Sequence, residues 1–357
     1  MLMRTVCSMP TQPLNIFYIY TFIFHFPHYT VPMTDTKSSY FHSLTPDSII
    51  ERAEAALGIP LTNLCRPYRS YINRVYELQA QDGTSYVIKF YRPGRWSREA
   101  LQDEHDFLLE LAEAELPVIA PIRPVTGASL LEYDGTYAAL FPKKGGRNCD
   151  EFSTDQWLEL GRLIGRVHAV GATTMPRDRI ILTPEKATRD HSAFIIAGDF
   201  IPHELKTPFA ETVDELITLI APLFAEKPLI RIHGDCHFAN IIYRPEESLY
   251  LIDFDDMAVG TPVQDVWMLI PGYVRDSRRE LNLFIEGYET FRDFDYTDLR
   301  LIEPLRAMRY LHFTAWCAHQ VADGGFSNLA PGFGTTAYWR TEIKDLREQI
   351  EHIRKEE

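Results

Sequence analysis

The chain has 357 residues, of which 45% are hydrophobic and 24% charged, as in an ordinary soluble globular protein. Fifty acidic against 36 basic side chains give a formal charge of −14. This charge argues against nucleic acid as a partner, because phosphate backbones bind clustered Lys and Arg. The length allows a large core and two lobes. The cysteines are scattered and form no C-x-x-C pair, which indicates a reducing, cytoplasmic location and no zinc site.

The first 32 residues differ from the rest of the chain. Residues 14–26 are strongly apolar, but this run is too short for a membrane span and no signal-peptide cleavage site follows it. Met33 opens a polar segment that leads into the first predicted helix. We therefore expect residues 1–32 to be a disordered or non-native extension, and we expect no membrane partner.

Residues 33–143 are predicted to form a β-rich lobe. A helix is predicted at 48–57, because Thr45-Pro46-Asp47 precedes it and a glycine follows it. Gln81-Asp82-Gly83 is a strong hairpin signal between two strands. Residues 98–115 have the apolar spacing of an amphipathic helix. The predicted strands are 73–79, 85–91, 129–133 and 137–141.

The segment Pro142-Lys143-Lys144-Gly145-Gly146 is the clearest boundary, and residues 144–357 are predicted to be mainly helical. We expect close helix contacts at the two glycines of the first helix in this part. Residues 176–208 look rich in loops. The predicted helices are 154–169, 212–223 and several beyond 263, with loops near 272–278 and 323–335.

Two polar segments at the ends of short apolar runs carry the candidate chemistry. The first is His233-Gly234-Asp235-Cys236-His237-Phe238-Ala239-Asn240, before the apolar residues 241–243. The second is Asp253-Phe254-Asp255-Asp256, which ends the apolar run 249–252. The polar link 244–248 predicts that the two runs form a hairpin. Loop ends on a rigid scaffold are where catalytic residues usually lie.

The spacing of these polar residues matches that of phosphoryl-transfer enzymes. Asp235 lies five residues before Asn240, and Asp253 leads out of the next strand. In that template one Asp orients the acceptor hydroxyl, while an Asn and a second Asp hold Mg²⁺. We therefore predict Asp235 and Asp253 as catalytic residues, and Asn240 and Asp253 as metal ligands.

The predicted order of elements resembles the protein-kinase layout: a small β-rich lobe, a glycine-bearing hinge, and a helical lobe with a catalytic hairpin. Within it, the chain resembles the aminoglycoside-phosphotransferase branch, and in that branch the bacterial stress response kinase A family of serine/threonine protein kinases. The resemblance covers roughly residues 40–350. It rests on the two catalytic segments and on Ser70-Tyr71-Ile72-Asn73-Arg74-Val75-Tyr76, Val87-Ile88-Lys89-Phe90-Tyr91, Gln264-Asp265-Val266-Trp267-Met268 and Glu303-Pro304-Leu305-Arg306-Ala307-Met308-Arg309.

This resemblance implies an α+β, bilobal protein-kinase-like fold, with an N-terminal ATP-binding lobe and a C-terminal catalytic and substrate lobe. It implies a monomer that uses ATP and Mg²⁺ to phosphorylate Ser and Thr hydroxyls of proteins in a stress response. It places Ser70 at the ATP phosphates, where the sequence has no G-x-G-x-x-G loop. Lys89 is the expected phosphate contact and Glu104 its expected ion-pair partner, with Asp103 and Asp106 as rivals.

Other residues near the motifs have expected supporting roles. Asp265 is expected to brace the backbone of the catalytic loop. His233 is expected to be structural, and His237 either orients the loop or is structural. Asp255 and Asp256 either support the ligand-binding residues through a contact behind them or are solvated loop carboxylates.

A small-molecule kinase is the main alternative. The acceptor would then be an aminoglycoside, choline or a homoserine-like compound, because the fold branch contains such enzymes. A deep acidic pocket built from residues 176–208 and 303–320 would favour a cationic small molecule, whereas an open, shallow site would favour a protein.

Two further alternatives come from other functional classes. A non-catalytic nucleotide-binding regulator is possible, but the set Lys89, Asp235, Asn240 and Asp253 is complete. A metal hydrolase built on His233-x-Asp235-x-His237 would leave Lys89 and Asn240 unexplained.

Overall fold

The computed structural model describes residue 41 and residues 44–356, apart from 69, 71, 126, 150, 245–246, 271, 325–329 and 331. The predicted extension at residues 1–32 lies outside this description. The described chain has an N-terminal lobe built on one antiparallel sheet and a larger, mainly helical C-terminal lobe. The predicted α+β, bilobal architecture is therefore confirmed. Within the described residues, no helix is both long and apolar enough to cross a membrane.

Five strands form the N-terminal sheet in the order β1-β2-β3-β5-β4. They are β1 (Leu61–Tyr68), β2 (Arg74–Ala80), β3 (Ser85–Phe90), β4 (Leu131–Tyr133) and β5 (Thr136–Pro142). Helix α1 (Pro46–Leu57) packs its buried face against this sheet, in a core shared with Leu78 and Ile88. Thr45 and Ser48 form the capping box that starts α1, as such sequence signals predict.

Helix α2 (Arg98–Glu113) lies between β3 and β4 in sequence, and it links the two lobes. Its apolar residues Phe107 and Leu111 belong to the core of the C-terminal lobe. The same helix also buries Asp103 and Glu104, so it brings carboxylates to the junction of the lobes. Buried carboxylates require partners, which the functional site supplies.

The C-terminal lobe contains seven α-helices within the described residues. They are α3 (Thr154–Gly171), α4 (Arg189–Ala197), α5 (His203–Phe224), α6 (Val263–Trp267), α7 (Arg278–Tyr288), α8 (Ile302–Gly324) and α9 (Thr336–Glu356). A π-helical turn, Pro184–Thr188, leads directly into α4. Helices α3 and α7 pack closely, because a Cβ at Gly161 would lie 2.0 Å from the Phe284 carbonyl oxygen. The predicted close contact at this glycine is confirmed.

Two short antiparallel ladders hold the polar segments of the C-terminal lobe. Strand β6 (Ile230–Ile232) pairs with β9 (Ala258–Gly260), and β7 (Ile241–Tyr243) pairs with β8 (Leu249–Leu251). The second ladder is the predicted hairpin. The ladders flank the two polar segments, so the backbones of both segments are fixed at each end.

The structure differs from the sequence analysis in two places. Strand β1 is missing from the sequence predictions, because residues 61–68 show no regular alternation of apolar and polar side chains. Residues 176–208 are not mainly loop: they contain the π-turn, α4 and the first turns of α5. Helix α5 begins at His203 and contains Pro208, which lacks the N–H that a helix interior normally uses.

Candidate active site

The loop after β6 is held by one fully buried carboxylate. Asp265 accepts hydrogen bonds from the backbone N–H groups of His233 (2.7 Å) and Gly234 (2.8 Å). The Nε2 atom of His168 lies 3.1 Å from the same carboxylate. The prediction that Asp265 braces this loop is therefore confirmed.

Backbone geometry also fixes the start of the loop. Gly234 has φ +83°, and a Cβ there would lie 2.1 Å from the Asp256 carbonyl oxygen, so only glycine fits. His233 donates from Nε2 to the Ile252 carbonyl (2.9 Å) and accepts at Nδ1 from the Asp235 N–H (3.2 Å). Both ring nitrogens are used, so His233 is structural and cannot ligate zinc. This argues against the metal-hydrolase alternative.

Asp235 lies at the mouth of the cleft with two cationic or potentially cationic neighbours. Its Oδ1 accepts from Arg309 Nη2 at 2.6 Å, and its Oδ2 lies 3.3 Å from His237 Nε2. Burial alone would raise the pKa of Asp235, but Arg309 and His237 outweigh burial and hold the pKa well below its usual range. The carboxylate is therefore ionised at neutral pH and can accept a hydrogen bond from a hydroxyl.

Asn240 and Asp253 belong to neighbouring backbone segments at the end of the β7–β8 ladder, since the N–H of Ile252, the residue before Asp253, donates to the Asn240 carbonyl at 3.0 Å. Asn240 donates from Nδ2 to the Asp235 carbonyl at 3.0 Å. Among the described residues, nothing donates to its Oδ1. Asp253 has a left-handed backbone (φ 62°), and its side chain is 55% exposed.

Lys89 is the centre of a buried charge network at the base of the cleft. It is hydrogen-bonded to the Asp255 carboxylate, and it lies 3.6 Å from Asp253 Oδ1 and 3.7 Å from Glu104 Oε1. Burial opposes the charge of Lys89, but Asp255 and Glu104 raise its pKa well above the usual value. Asp255 also accepts from the side-chain amide of Asn73. Asp255 is thus a buried contact of the site and not a solvated loop carboxylate.

Glu104 also pairs with a second basic side chain, which lies closer to it than Lys89 does and which the sequence analysis did not predict. Arg179, which is fully buried, donates to Glu104 Oε2 at 2.8 Å and to the Asp255 carbonyl at 2.7 Å. The rival carboxylate of Asp103 instead accepts from the backbone N–H groups of Arg177 and Asp178, both at 2.8 Å. Of the candidate partners on α2, Glu104 is therefore the one that faces Lys89.

Ser70 lies in the turn between β1 and β2 and is partly buried. Strand pairing aligns Val75, just after this turn, with Lys89 on β3. The turn is tied to the cleft because Asn73 bonds to Asp255. The Ser70 hydroxyl makes no hydrogen bond to another described residue, so its role at the phosphates stays a prediction.

The model of the phosphotransferase enzyme family matches residues 65–302. The chain belongs to the phosphotransferase enzyme family. Stress response kinase A from Escherichia coli K12 is 37% identical over 317 residues, which cover 87% of this chain and 93% of that protein. "Serine/threonine protein kinase RdoA" of Salmonella typhimurium LT2 is 34% identical over the same shares. The predicted membership of the stress response kinase A family is confirmed.

Solved structures show the same fold at low sequence identity. Amicoumacin kinase hAmiN, in complex with AMP-PNP, Ca²⁺ and Ami, aligns with TM-score 0.68 and 18% identity over 86% of this chain and 93% of its own. Choline kinase LicA from Streptococcus pneumoniae aligns with TM-score 0.60 and 16% identity, covering 85% of this chain and 98% of its own.

In this phosphotransferase a small crevice lies beside Asp235. Its volume is about 40 Å³. Arg309, which bonds to Asp235, is part of its wall, as are residues from the π-turn, α4 and α8. Among the described residues that form the wall, Asp256 is the only one with an acidic side chain, and Arg95 binds it at 2.6 Å. No role for Arg309, Arg179 or Arg95 was predicted, because their partners lie far away in the sequence.

Proposed function

We propose that this phosphotransferase transfers the γ-phosphoryl group of ATP to Ser and Thr hydroxyls of proteins, in a stress response. The crevice beside Asp235 supports a protein acceptor. Its volume of about 40 Å³ is far below the ~300–1,000 Å³ of typical small-molecule pockets. The segments expected to form a deep acidic pocket contribute five apolar side chains, two histidines, a threonine and an arginine to its wall, and no carboxylate. A cationic aminoglycoside or choline would find one acidic side chain there, Asp256, already paired with Arg95.

On the donor side, we assign the phosphates to Lys89 and Ser70, with Glu104 holding Lys89 in place. The oxygen atoms of Asn240 and Asp253 fit Mg²⁺, because a hard cation prefers oxygen ligands and the Asn240 oxygen has no described donor. Bound Mg²⁺ supplies positive charge that offsets the charge on the phosphates. Lys89 exchanges its bond to Asp255 for one to a phosphate oxygen when ATP binds.

On the acceptor side, Asp235 orients the Ser or Thr hydroxyl. The new bond forms between this hydroxyl oxygen and the γ-phosphorus, while the bond to the ADP oxygen breaks and the hydroxyl proton passes to Asp235. Because Arg309 keeps the pKa of Asp235 low, the carboxylate is a weak base. Its main contribution is therefore positioning, with proton transfer late in the reaction.

The test is transfer of labelled phosphate. The full chain is incubated with γ-labelled ATP and Mg²⁺, with generic protein acceptors in one set and aminoglycosides, choline and homoserine in another. The expected result is phosphoserine or phosphothreonine in the proteins, lost in the Asp235→Asn variant. Label that appears only in the small molecules would overturn the protein acceptor and leave the phosphotransferase intact.

A further inference from the structure

The wall of the crevice beside Asp235 contains hydrogen-bond donors with no partner. The Trp96 indole N–H and the Thr188 hydroxyl are buried and have no hydrogen-bond partner among the described residues. The Thr188 residue is only 1% exposed. A buried polar group without a partner is destabilising, so such groups usually mark a site for a ligand or water. We call this cavity the donor crevice.

Two histidines add a further donor to the donor crevice. His312 Nδ1 lies 3.1 Å from His191 Nε2. Burial lowers the pKa of His191 to about 4 and lowers the pKa of His312 as well, so both rings are neutral at pH 7. Two neutral imidazoles have two N–H protons, and one of them lies between the rings. Whichever ring donates, one outer nitrogen carries the remaining N–H and the other keeps an accepting lone pair, because neither outer nitrogen has a partner in the described part of the chain.

Arg309 joins the donor crevice to the site of transfer. Its Nη2 donates one N–H to the Asp235 carboxylate at 2.6 Å, and it makes no other hydrogen bond within the described residues. Guanidinium has five N–H donors, so the remaining ones are available to a ligand. A group in the crevice would therefore lie next to the hydroxyl that Asp235 orients.

The size of the donor crevice suits a carboxylate, and the fixed charges around it do not exclude one. A water-sized probe needs roughly 10–15 Å³, so about 40 Å³ holds about three such atoms, the size of one carboxylate. The two fixed carboxylates nearby each have their own arginine, since Asp235 pairs with Arg309 and Asp256 with Arg95, both at 2.6 Å. Neither is an uncompensated charge that would exclude an anion.

We propose that the donor crevice binds the side-chain carboxylate of an Asp or Glu that lies one or two positions from the Ser or Thr to be phosphorylated. This inference rests on the proposed function, because it assumes a protein acceptor. Arg309, Thr188 and Trp96 act as specificity-determining residues that recognise this carboxylate. A carboxamide of the same shape would bind more weakly, because it has no charge for Arg309 and brings two donors of its own.

The test uses matched peptides and the full chain with Mg-ATP. Each peptide has one central Ser, and the residues beside it are Glu, Gln, Ala or Lys. We expect kcat/KM for the Glu peptide to exceed that for the Gln peptide about tenfold, the scale of one or two hydrogen bonds to a charged group. Thr188→Val and Trp96→Phe each remove one donor. They should lower kcat/KM for the Glu peptide severalfold and leave the Ala peptide, which has no acceptor for these donors, nearly unchanged.

Thr261→Val is the matched control. Thr261 also has a buried hydroxyl without a described partner, but it does not line the donor crevice. Its variant should keep the full Glu-over-Gln preference. Thermal melting separates specificity from folding, since Thr188→Val removes an unpaired buried hydroxyl and should melt no lower than the parent.

The outcomes distinguish this inference from the proposed function. Equal rates for all peptides, a preference for Lys, or a Glu preference that survives in both Thr188→Val and Trp96→Phe would overturn the donor crevice and leave protein phosphorylation standing. Phosphorylation of none of the peptides and no generic protein would overturn both.

Discussion

Replacing Asp265 by Asn tests how the catalytic loop is held. The buried carboxylate accepts two backbone N–H groups, from His233 at 2.7 Å and Gly234 at 2.8 Å. An amide offers one oxygen in place of two, so one N–H faces an NH₂ donor. The lost charge-assisted bond contributes roughly 1.5–3 kcal/mol, and the unsatisfied N–H costs roughly 1–3 kcal/mol more. We expect the free energy of unfolding to fall by about 3–5 kcal/mol.

The same substitution should also impair transfer in the molecules that remain folded. Asp235 follows the two braced residues directly, so a shift of the loop displaces its carboxylate. A displacement of about 1 Å typically costs about 100-fold in rate. The assay combines denaturant unfolding with single-turnover transfer at a temperature where both proteins are folded.

Asp103→Asn is the matched control for Asp265→Asn. Asp103 is also buried and accepts two backbone N–H groups at 2.8 Å, from Arg177 and Asp178. It should lose comparable stability, while its transfer rate falls much less because its bonds lie outside the catalytic loop. Equal loss of transfer rate in both variants, or a stable and active Asp265→Asn, would refute the bracing role.

Three other substitutions probe single features of the site. Arg309→Gln should raise the pKa of Asp235, because Arg309 holds that pKa low. Transfer needs the ionised carboxylate, so the acid limb of the kcat–pH profile should move to higher pH. An unchanged profile would contradict this role of Arg309. Gly234→Ala should cost several kcal/mol more than Gly83→Ala in denaturant unfolding, because Gly83 has a similar φ but nothing within 4 Å of an added Cβ. Lys89→Met should weaken ATP binding measured by calorimetry; unaltered affinity would exclude a phosphate contact.

Elements specified by neighbouring residues could be predicted from the sequence. The hairpin at Ile241–Tyr243 and Leu249–Leu251 needs only two apolar runs and a polar link. Strand β1 could not be predicted, because it contains Pro67, and a proline in a short run argues against a strand. The structure tolerates this proline because β1 lies at the edge of the sheet. The start of α5 was missed because Pro208 looks like a helix breaker, yet packing of the helix stabilises it.

In the active site, too, local features could be predicted from the sequence and long-range contacts could not. The local spacing of Asp235, Asn240 and Asp253 placed them in one loop region. The ion pairs around them could not be found in this way, because Arg309 is 74 residues from Asp235 and Arg179 is 75 residues from Glu104. Such contacts depend on how α8 packs against the loop after β6 and how the loop before the π-turn packs against α2, and no local pattern encodes that.

The most direct measurement separates the roles assigned to Asp235 and Asp253. Mg-ATP is titrated calorimetrically into Asp235→Asn and Asp253→Asn, and single-turnover transfer is measured alongside. Asp235→Asn should bind Mg-ATP about as well as the parent while transfer falls roughly 10²–10⁴-fold, the usual effect of losing a positioned proton acceptor. Asp253→Asn should weaken both binding and transfer, because the metal needs that carboxylate. Lost nucleotide binding in Asp235→Asn with normal binding in Asp253→Asn would contradict these roles.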